Sequence, residues 1–128
     1  ATLHFKTKLV ISKEEDFFGP GVYHLLQYID ETGSIQAAAA KMNMSYSKGW
    51  KMINKVEKEL GFRFLNRCNG GKNGGSSTIT PEGRLFMERY HAMLEDLGEK
   101  HTEMKAFLMR SQAKEDGKME EAFSAFEL

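Results

Sequence analysis

The chain has 128 residues, of which 41% are hydrophobic and 28% are charged, and it contains one cysteine and four histidines. This length and composition suit one compact globular domain with an appended helix, and they exclude two full domains. No apolar run is long enough to cross a bilayer, and the N-terminus lacks the pattern of a secretory signal peptide.

The residue pattern offers no catalytic or metal-binding constellation. The lone Cys68 fits a reducing compartment, and no histidine or acid near it in sequence would activate it as a nucleophile. Neither this cysteine nor the scattered histidines have metal-ligand spacing. We therefore predict a cytoplasmic protein with no catalytic residue, no metal, no cofactor and no association with a membrane.

Charge is unevenly distributed along the chain, although the formal net charge is zero. Residues 1–40 carry −2, residues 41–72 carry +6 and residues 82–128 carry −4. Lysines scattered over helix faces would only keep those faces hydrated, whereas a concentrated basic segment is typical of a phosphate-binding surface. The basic segment therefore favours a nucleic-acid partner.

The N-terminal third of the chain predicts a strand followed by a helix. Residues 3–12 are rich in β-branched and aromatic side chains and partly alternate, which indicates a strand, and residues 13–16 form a polar turn. A helix begins at Pro20, and its apolar residues recur at helical spacing as far as Glu31. Gly33 is placed to end this helix in a left-handed conformation.

A short helix and a tight turn come next. Ser34 can cap a helix that contains four consecutive alanines and ends near Met42. Asn43 suits the turn because asparagine tolerates the left-handed backbone conformation.

The third helix is basic. Ser45 can cap it, and it extends over residues 46–59 before Gly61. Its apolar face, which we expect to pack in the core, comprises Trp50, Ile53, Val56 and Leu60. Lysines occupy much of the remaining surface: Lys48, Lys51, Lys55 and Lys58.

A hairpin and a long helix complete the chain. Residues 62–68 and 77–80 are predicted strands, and the segment between them contains four glycines and forms a hairpin tip. Thr80 and Pro81 begin a helix that extends to about residue 110. An apolar stripe follows this helix: Phe86, Tyr90, Met93, Leu97, Met104 and Leu108.

This order of elements predicts a mainly α, α+β fold, namely a winged helix-turn-helix with a long C-terminal dimerisation helix. We assign residues 1–80 to the winged helix-turn-helix domain and residues 81–110 to the dimerisation helix. Residues 111–128 form a tail that is either helical or disordered. The apolar stripe packs on its own domain or on a second copy. Because so long a helix outruns a small domain, we predict a homodimer interface made by the stripe residues Phe86, Tyr90, Met93, Leu97, Met104 and Leu108.

Duplex DNA is the predicted partner. A recognition helix packs one face on its scaffold and presents polar residues near its N-terminus to base edges in the major groove. Hydroxyl and ammonium groups there can also bind phosphates, and glycines let the hairpin tip approach the sugar-phosphate surface. The predicted DNA-contacting residues are Ser34, Gln36, Ser45, Tyr46, Ser47, Lys48, Lys51, Lys55, Arg67, Lys72 and Asn73.

The sequence resembles the helix-turn-helix of LysR-type regulators. The similar segments are Gly33-Ser34-Ile35 with Ala38-Ala39, residues 60–67, and Ile79-Thr80-Pro81-Glu82-Gly83. Over about residues 18–108 it is most similar to the N-terminal domain of the molybdate-responsive ModE regulators. That resemblance is carried by Ser45-Tyr46, Trp50, Ile53-Asn54, the glycine-rich residues 70–75, and Thr80 with Gly83.

The resemblance implies a dimer that places two basic helices on a palindromic operator. Full-length ModE regulators carry oxyanion-binding domains after this module, whereas only about 20 residues follow the predicted long helix here. We therefore expect no molybdate-binding domain in this chain. The expected function is sequence-specific transcription regulation, with repression favoured over activation because occupancy alone blocks a promoter.

Three other functions are alternatives to DNA binding. A winged-helix module can bind proteins instead of DNA, and zero net charge supports that alternative. A small-molecule sensor would need a cavity at the interface of the long helices. A phosphate-binding P-loop is disfavoured, because Gly75 is followed by Ser76-Ser77 and a strand rather than by a Lys-Ser/Thr pair and a helix.

Overall fold

The computed structural model describes residues 6–68 and 75–115, with side chains described as far as residue 111. These residues belong to two compact units, one of residues 8–90 and a second that includes residues 6–7 and 91–115. Within the described ranges, none of the helices combines the length and the apolar character needed to span a membrane.

The described residues form four helices and two small antiparallel sheets. In chain order the elements are β1 (Ile11–Ser12), β2 (Asp16–Phe18), α1 (Pro20–Thr32), α2 (Ile35–Lys41), α3 (Tyr46–Leu60), β3 (Leu65–Cys68), β4 (Ser76–Ile79) and α4 (Pro81–Glu115). Strand β1 pairs with β2, and β3 pairs with β4 in a register that places Leu65 opposite Ile79. The predicted winged helix-turn-helix architecture is confirmed.

The first sheet is smaller than predicted. Of the strand expected over residues 3–12, only Ile11–Ser12 forms a ladder, residues 6–10 have no regular structure, and residues 3–5 lie outside the described ranges. The partner strand β2 was not predicted, because three residues before a glycine give too short a pattern. Its three residues also limit the ladder, and its Phe17 and Phe18 are buried.

Helix boundaries follow local chemistry, as the sequence indicates. Ser34 and Ser45 cap α2 and α3, and each hydroxyl oxygen accepts a hydrogen bond of 3.1 Å from the backbone N–H three residues later. Gly33 and Gly61 end α1 and α3 with φ values of 73° and 79°. Between α2 and α3, Asn43 has a φ of 56° and allows the tight turn.

The core of residues 8–90 lies where the three short helices meet the strands. Aromatic rings fill one side, with the ring centroids of Phe18 and Phe86 4.9 Å apart and those of Phe18 and Phe64 6.2 Å apart. The largest fully buried side chains are Phe18, Phe64, Leu25, Leu26, Ile29, Ile53, Leu65 and Val56.

Helix α3 packs against its neighbours at Gly49, not at Trp50. A Cβ atom added to Gly49 would lie 3.4 Å from the Cβ of Ala39 and 3.7 Å from side-chain atoms of Ile35 and Leu25, so the helices approach closely there. Trp50 is 42% exposed. The prediction that Trp50 lies in the core is wrong, because one residue along a helix corresponds to a rotation of about 100°.

The apolar stripe of α4 divides between two environments. Tyr90 is 2% exposed, and its ring centroid lies 4.9 Å from that of Phe18 and 4.8 Å from that of Tyr23. Phe86 is also partly buried against Phe18 and Phe64. These two residues complete the core of residues 8–90, and their assignment to a dimer interface stays a prediction. The early turns of α4 cover the domain to which they belong.

Tyr90 also makes a polar contact. Its hydroxyl donates a hydrogen bond of 2.7 Å to the carbonyl oxygen of Leu9. Burial raises the pKa of the Tyr90 hydroxyl above its ordinary value, and the neighbouring Tyr23 raises this pKa further. The folded chain therefore holds the Tyr90 proton to a higher pH than the unfolded chain does.

The stabilisation linked to this proton is complete below the unfolded pKa of tyrosine and is lost as the pH rises from about 10 towards the raised folded value. We expect Tyr90→Phe to lower the free energy of unfolding at neutral pH by about 1 kcal/mol, because the hydrogen bond to Leu9 is lost. The variant lacks this titration, so its stability should fall less between about pH 9.5 and about pH 11. Urea unfolding of both proteins measures the two effects, and identical losses over that interval would contradict the prediction.

The second unit contains the later part of α4, which continues to Glu115, beyond the predicted end near residue 110. Several large apolar side chains on it are exposed, and they are Met93, Met104, Phe107 and Met109. Leu97 and Leu108 are partly buried. The predicted tail beyond Glu115 lies outside the described residues.

Candidate nucleic-acid interface

The outer face of α3 and its cap carry five of the eleven predicted contact residues. The buried line along this helix comprises Gly49, Ile53 and Val56. Away from that line, the first turns of α3 and its cap expose Ser45, Tyr46, Ser47, Lys48 and Lys51. The structure therefore brings five of the predicted residues together on one solvent-facing surface, which we call the α3 surface.

The lysines of α3 differ in how they are paired. The ammonium nitrogen of Lys55 lies 3.1 Å from a carboxylate oxygen of Glu15. Within the part of the chain that the structure describes, neither Lys48 nor Lys51 forms an ion pair. No acid in the described ranges neutralises these two lysines of the α3 surface, whereas Lys55 would have to exchange its partner to bind a phosphate.

Helix α2 offers a smaller polar contribution. Ser34 is partly buried at its cap, and Gln36 is exposed in its first turn. The Ser34 hydroxyl oxygen already accepts a hydrogen bond from the Ala37 backbone, so its hydroxyl hydrogen is what remains for donation.

The predicted wing residue Arg67 is held by side chains of α3. One guanidinium nitrogen lies 3.0 Å from a carboxylate oxygen of Glu57 and 3.2 Å from the side-chain oxygen of Asn54, and the side chain is only 21% exposed. The second Glu57 oxygen accepts the backbone N–H of Phe64 at 2.7 Å and that of Leu65 at 3.3 Å. Arg67 therefore anchors β3 to α3, and its contact with DNA stays a prediction. The other two predicted wing residues, Lys72 and Asn73, lie outside the described residues.

The second strand of the hairpin, β4, is also hydrogen-bonded to the helices. The backbone N–H of Ser77 in β4 donates a hydrogen bond of 2.8 Å to the carbonyl oxygen of Gly33, at the junction of α1 and α2. Both strands of the hairpin are thus fixed to the helix-turn-helix at their described ends.

The positions of two residues of α3 were not predicted from the sequence. Glu57 orients β3 through three hydrogen bonds, and its position among eight basic residues of the segment 41–72 is the signal that could have drawn attention to it. Trp50 is exposed beside the α3 surface, and the glycine that precedes it is the signal for a close helix approach one position earlier.

Within residues 6–68 and 75–115, no three histidine, cysteine or acidic residues lie close enough together to bind a metal ion. Cys68 is exposed and unpaired at the end of β3.

Comparison with known proteins gives the same architecture. Among solved structures, that of the CbnR DNA-binding domain in complex with DNA aligns with a TM-score of 0.54 at 22% identity, covering 69% of this chain and 95% of that chain. Three helices with a tight turn, a hairpin and a long following helix define a winged helix-turn-helix domain.

Residues 23–84 match the family model described as "Bacterial regulatory helix-turn-helix protein, lysR family". This segment is similar to the helix-turn-helix of LysR-family regulators, as the sequence predicted.

Curated relatives match a little more than half of the chain. "Molybdenum-pterin-binding protein MopB" of Rhodobacter capsulatus is 35% identical over 69 residues, which is 54% of this chain and 26% of that protein. "DNA-binding transcriptional dual regulator ModE" of Escherichia coli K12 is 31% identical over 74 residues, which is 58% of this chain and 28% of that protein. The predicted similarity to ModE is confirmed, and the matched segment spans less than a third of the length of these relatives.

Proposed function

We propose that this chain is a sequence-specific, double-stranded DNA-binding transcription regulator that acts as a homodimer. The observation that carries the proposal is the pair Lys48 and Lys51, exposed on α3 without an acidic partner in the described ranges. A helix that buries one face on α2 and presents unpaired cations on another has the form required to enter the major groove.

The beginning of α3 suits contact with phosphates and base edges. Ser45 and Ser47 supply exposed hydroxyl groups there, and the N-terminal end of a helix carries a partial positive charge. Lysines supply affinity without sequence preference, whereas side chains at the groove floor supply specificity. The names of the relatives support this proposal, since ModE is called a DNA-binding transcriptional regulator.

The later part of α4 supports the homodimer. Its exposed apolar residues include Met93 and Met104, and the partly buried Leu97 and Leu108 continue the same stripe at spacings of four and seven residues. Such a stripe on a helix is typical of pairing with a second copy. A dimer would present two α3 helices to a palindromic site, and occupancy of that site would repress a promoter.

Selection from a pool of random duplex DNA at near-physiological salt tests the proposal. Enrichment of a palindrome whose half-sites are separated by about one helical turn, or a small multiple of it, is the expected result. Sedimentation of the free protein should give twice the chain mass. Binding without enrichment would overturn sequence specificity, and no binding even at low salt would overturn DNA binding in favour of a protein-interaction module.

A further inference from the structure

Two aromatic side chains are exposed one helical turn apart on α3. Tyr46 is 52% exposed and Trp50 is 42% exposed. Residues four apart on a helix are neighbours on the same face, so the two rings form one surface, which we call the aromatic pair. Within the described ranges neither ring contacts another aromatic ring, and neither side chain forms a hydrogen bond.

The aromatic pair lies between the buried line of α3 and its unpaired lysines. With a rotation of about 100° per residue, Trp50 is about 100° from both Gly49, which is buried, and Lys51, which is exposed. A partner that approaches the lysines of the α3 surface therefore meets the aromatic pair beside them. Ser45 and Ser47 bracket Tyr46, so the polar groups of this surface also border the aromatic pair.

Base edges in the major groove present donors, acceptors and a single kind of apolar group, the C5-methyl of thymine. Exposed aromatic rings gain by removing apolar surface from water, and a methyl group is the matching feature in the groove. Stacking on a base would require that base to leave the duplex, which costs a few kcal/mol. Contact with thymine methyl groups requires no such distortion.

We propose that Tyr46 and Trp50 read thymine C5-methyl groups in the major groove. The inference rests on the proposed function, because it assigns a role to the same helix in the same groove. It predicts thymine at one or more positions of each half-site, with Lys48 and Lys51 binding the flanking phosphates. On this proposal, Tyr46 and Trp50 supply the sequence preference, and the two lysines beside them supply affinity without sequence preference.

Replacing thymine by deoxyuridine tests this inference, because the exchange removes only the methyl group. Duplexes carrying the selected operator are made with each half-site thymine replaced in turn, and dissociation constants are measured by fluorescence anisotropy with the full chain. Wild-type protein should lose about 3- to 10-fold in affinity at the contacted thymines. Trp50→Ala and Tyr46→Ala should bind more weakly and lose this discrimination at the position each residue contacts.

Lys48→Ala is the matched control. It lies on the same surface and should weaken binding while keeping the ratio of thymine to deoxyuridine affinity unchanged. Circular dichroism checks that the variants fold, as expected for exposed positions.

Wild-type binding with equal affinity for thymine and deoxyuridine at every position would overturn the inference and leave the proposed function standing. Discrimination that persists in both aromatic variants would also overturn it. Failure of the wild-type protein to bind any duplex would overturn the proposed function itself.

Discussion

Replacing Lys48 and Lys51 together by alanine is expected to weaken binding to the selected operator by about 10- to 100-fold at about 0.1 M monovalent salt. Each lysine that neutralises a phosphate releases condensed counterions, and the slope of log affinity against log salt changes by about 0.9 for each contact. Because the proposed dimer carries two copies of each lysine, the double variant should show a slope less steep by about 4. Anisotropy titrations over a range of salt concentrations measure both quantities.

A charge-matched control separates this effect from a general loss of positive charge. Lys100 and Lys105 are exposed on α4, outside residues 8–90. Replacing both by alanine removes the same formal charge and should change affinity by less than about 2-fold, because direct phosphate contacts contribute more to affinity than the net charge of the chain does. Equal slopes for the α3 double variant and wild type would contradict the assignment of α3 to the groove.

Gly83→Ala is expected to destabilise the fold, although alanine is the better helix former. A Cβ at position 83 would lie 2.9 Å from the Phe64 ring, 3.1 Å from the Phe64 carbonyl oxygen and 3.1 Å from the Thr80 hydroxyl oxygen. Phe64 is fully buried, and Thr80 caps α4 by accepting the Gly83 backbone N–H. To relieve the clash, the Phe64 ring and the Thr80 cap must both move. We therefore expect the free energy of unfolding to fall by about 1–3 kcal/mol.

The same substitution elsewhere in α4 should have the opposite sign. Gly98 is exposed, and an added Cβ there meets no atom within 4 Å. Gly98→Ala should therefore raise the free energy of unfolding by about 0.5–1 kcal/mol through helix propensity alone. Urea unfolding at one fixed protein concentration compares the two variants with wild type. Equal stability of the Gly83→Ala and Gly98→Ala proteins would contradict the prediction, because it would mean that Phe64 and Thr80 accommodate the added Cβ without loss of stability.

Features determined by neighbouring residues could be predicted from the sequence. Ser34 and Ser45 cap helices because their hydroxyls reach a backbone N–H three residues away, and Gly33 and Asn43 adopt left-handed conformations that few other residues tolerate. The order of these signals was enough to predict the helix-turn-helix and the face of α3 that carries Lys48.

Features determined by packing between elements could not be predicted in this way. Trp50 fitted a spacing of three and four residues, but the approach of α2 puts Gly49 on the buried line instead. Arg67 had the charge expected of a wing contact, yet its partner Glu57 is ten residues away in the preceding helix. Tyr90 belonged to a regular stripe whose division between core and exposed surface depends on where Phe18 lies.

The two attachments of the hairpin have a consequence for how related chains can diverge. Arg67 ties β3 to α3, and the Ser77 amide ties β4 to the carbonyl of Gly33. The chain between Arg67 and Ser77 therefore has both of its ends fixed, and doubling the length of a flexible connection costs only about 0.6 kcal/mol of closure entropy. Insertions and deletions between these two ends can therefore accumulate during evolution without displacing α3, so the length of this connection can change independently of the surface that α3 exposes.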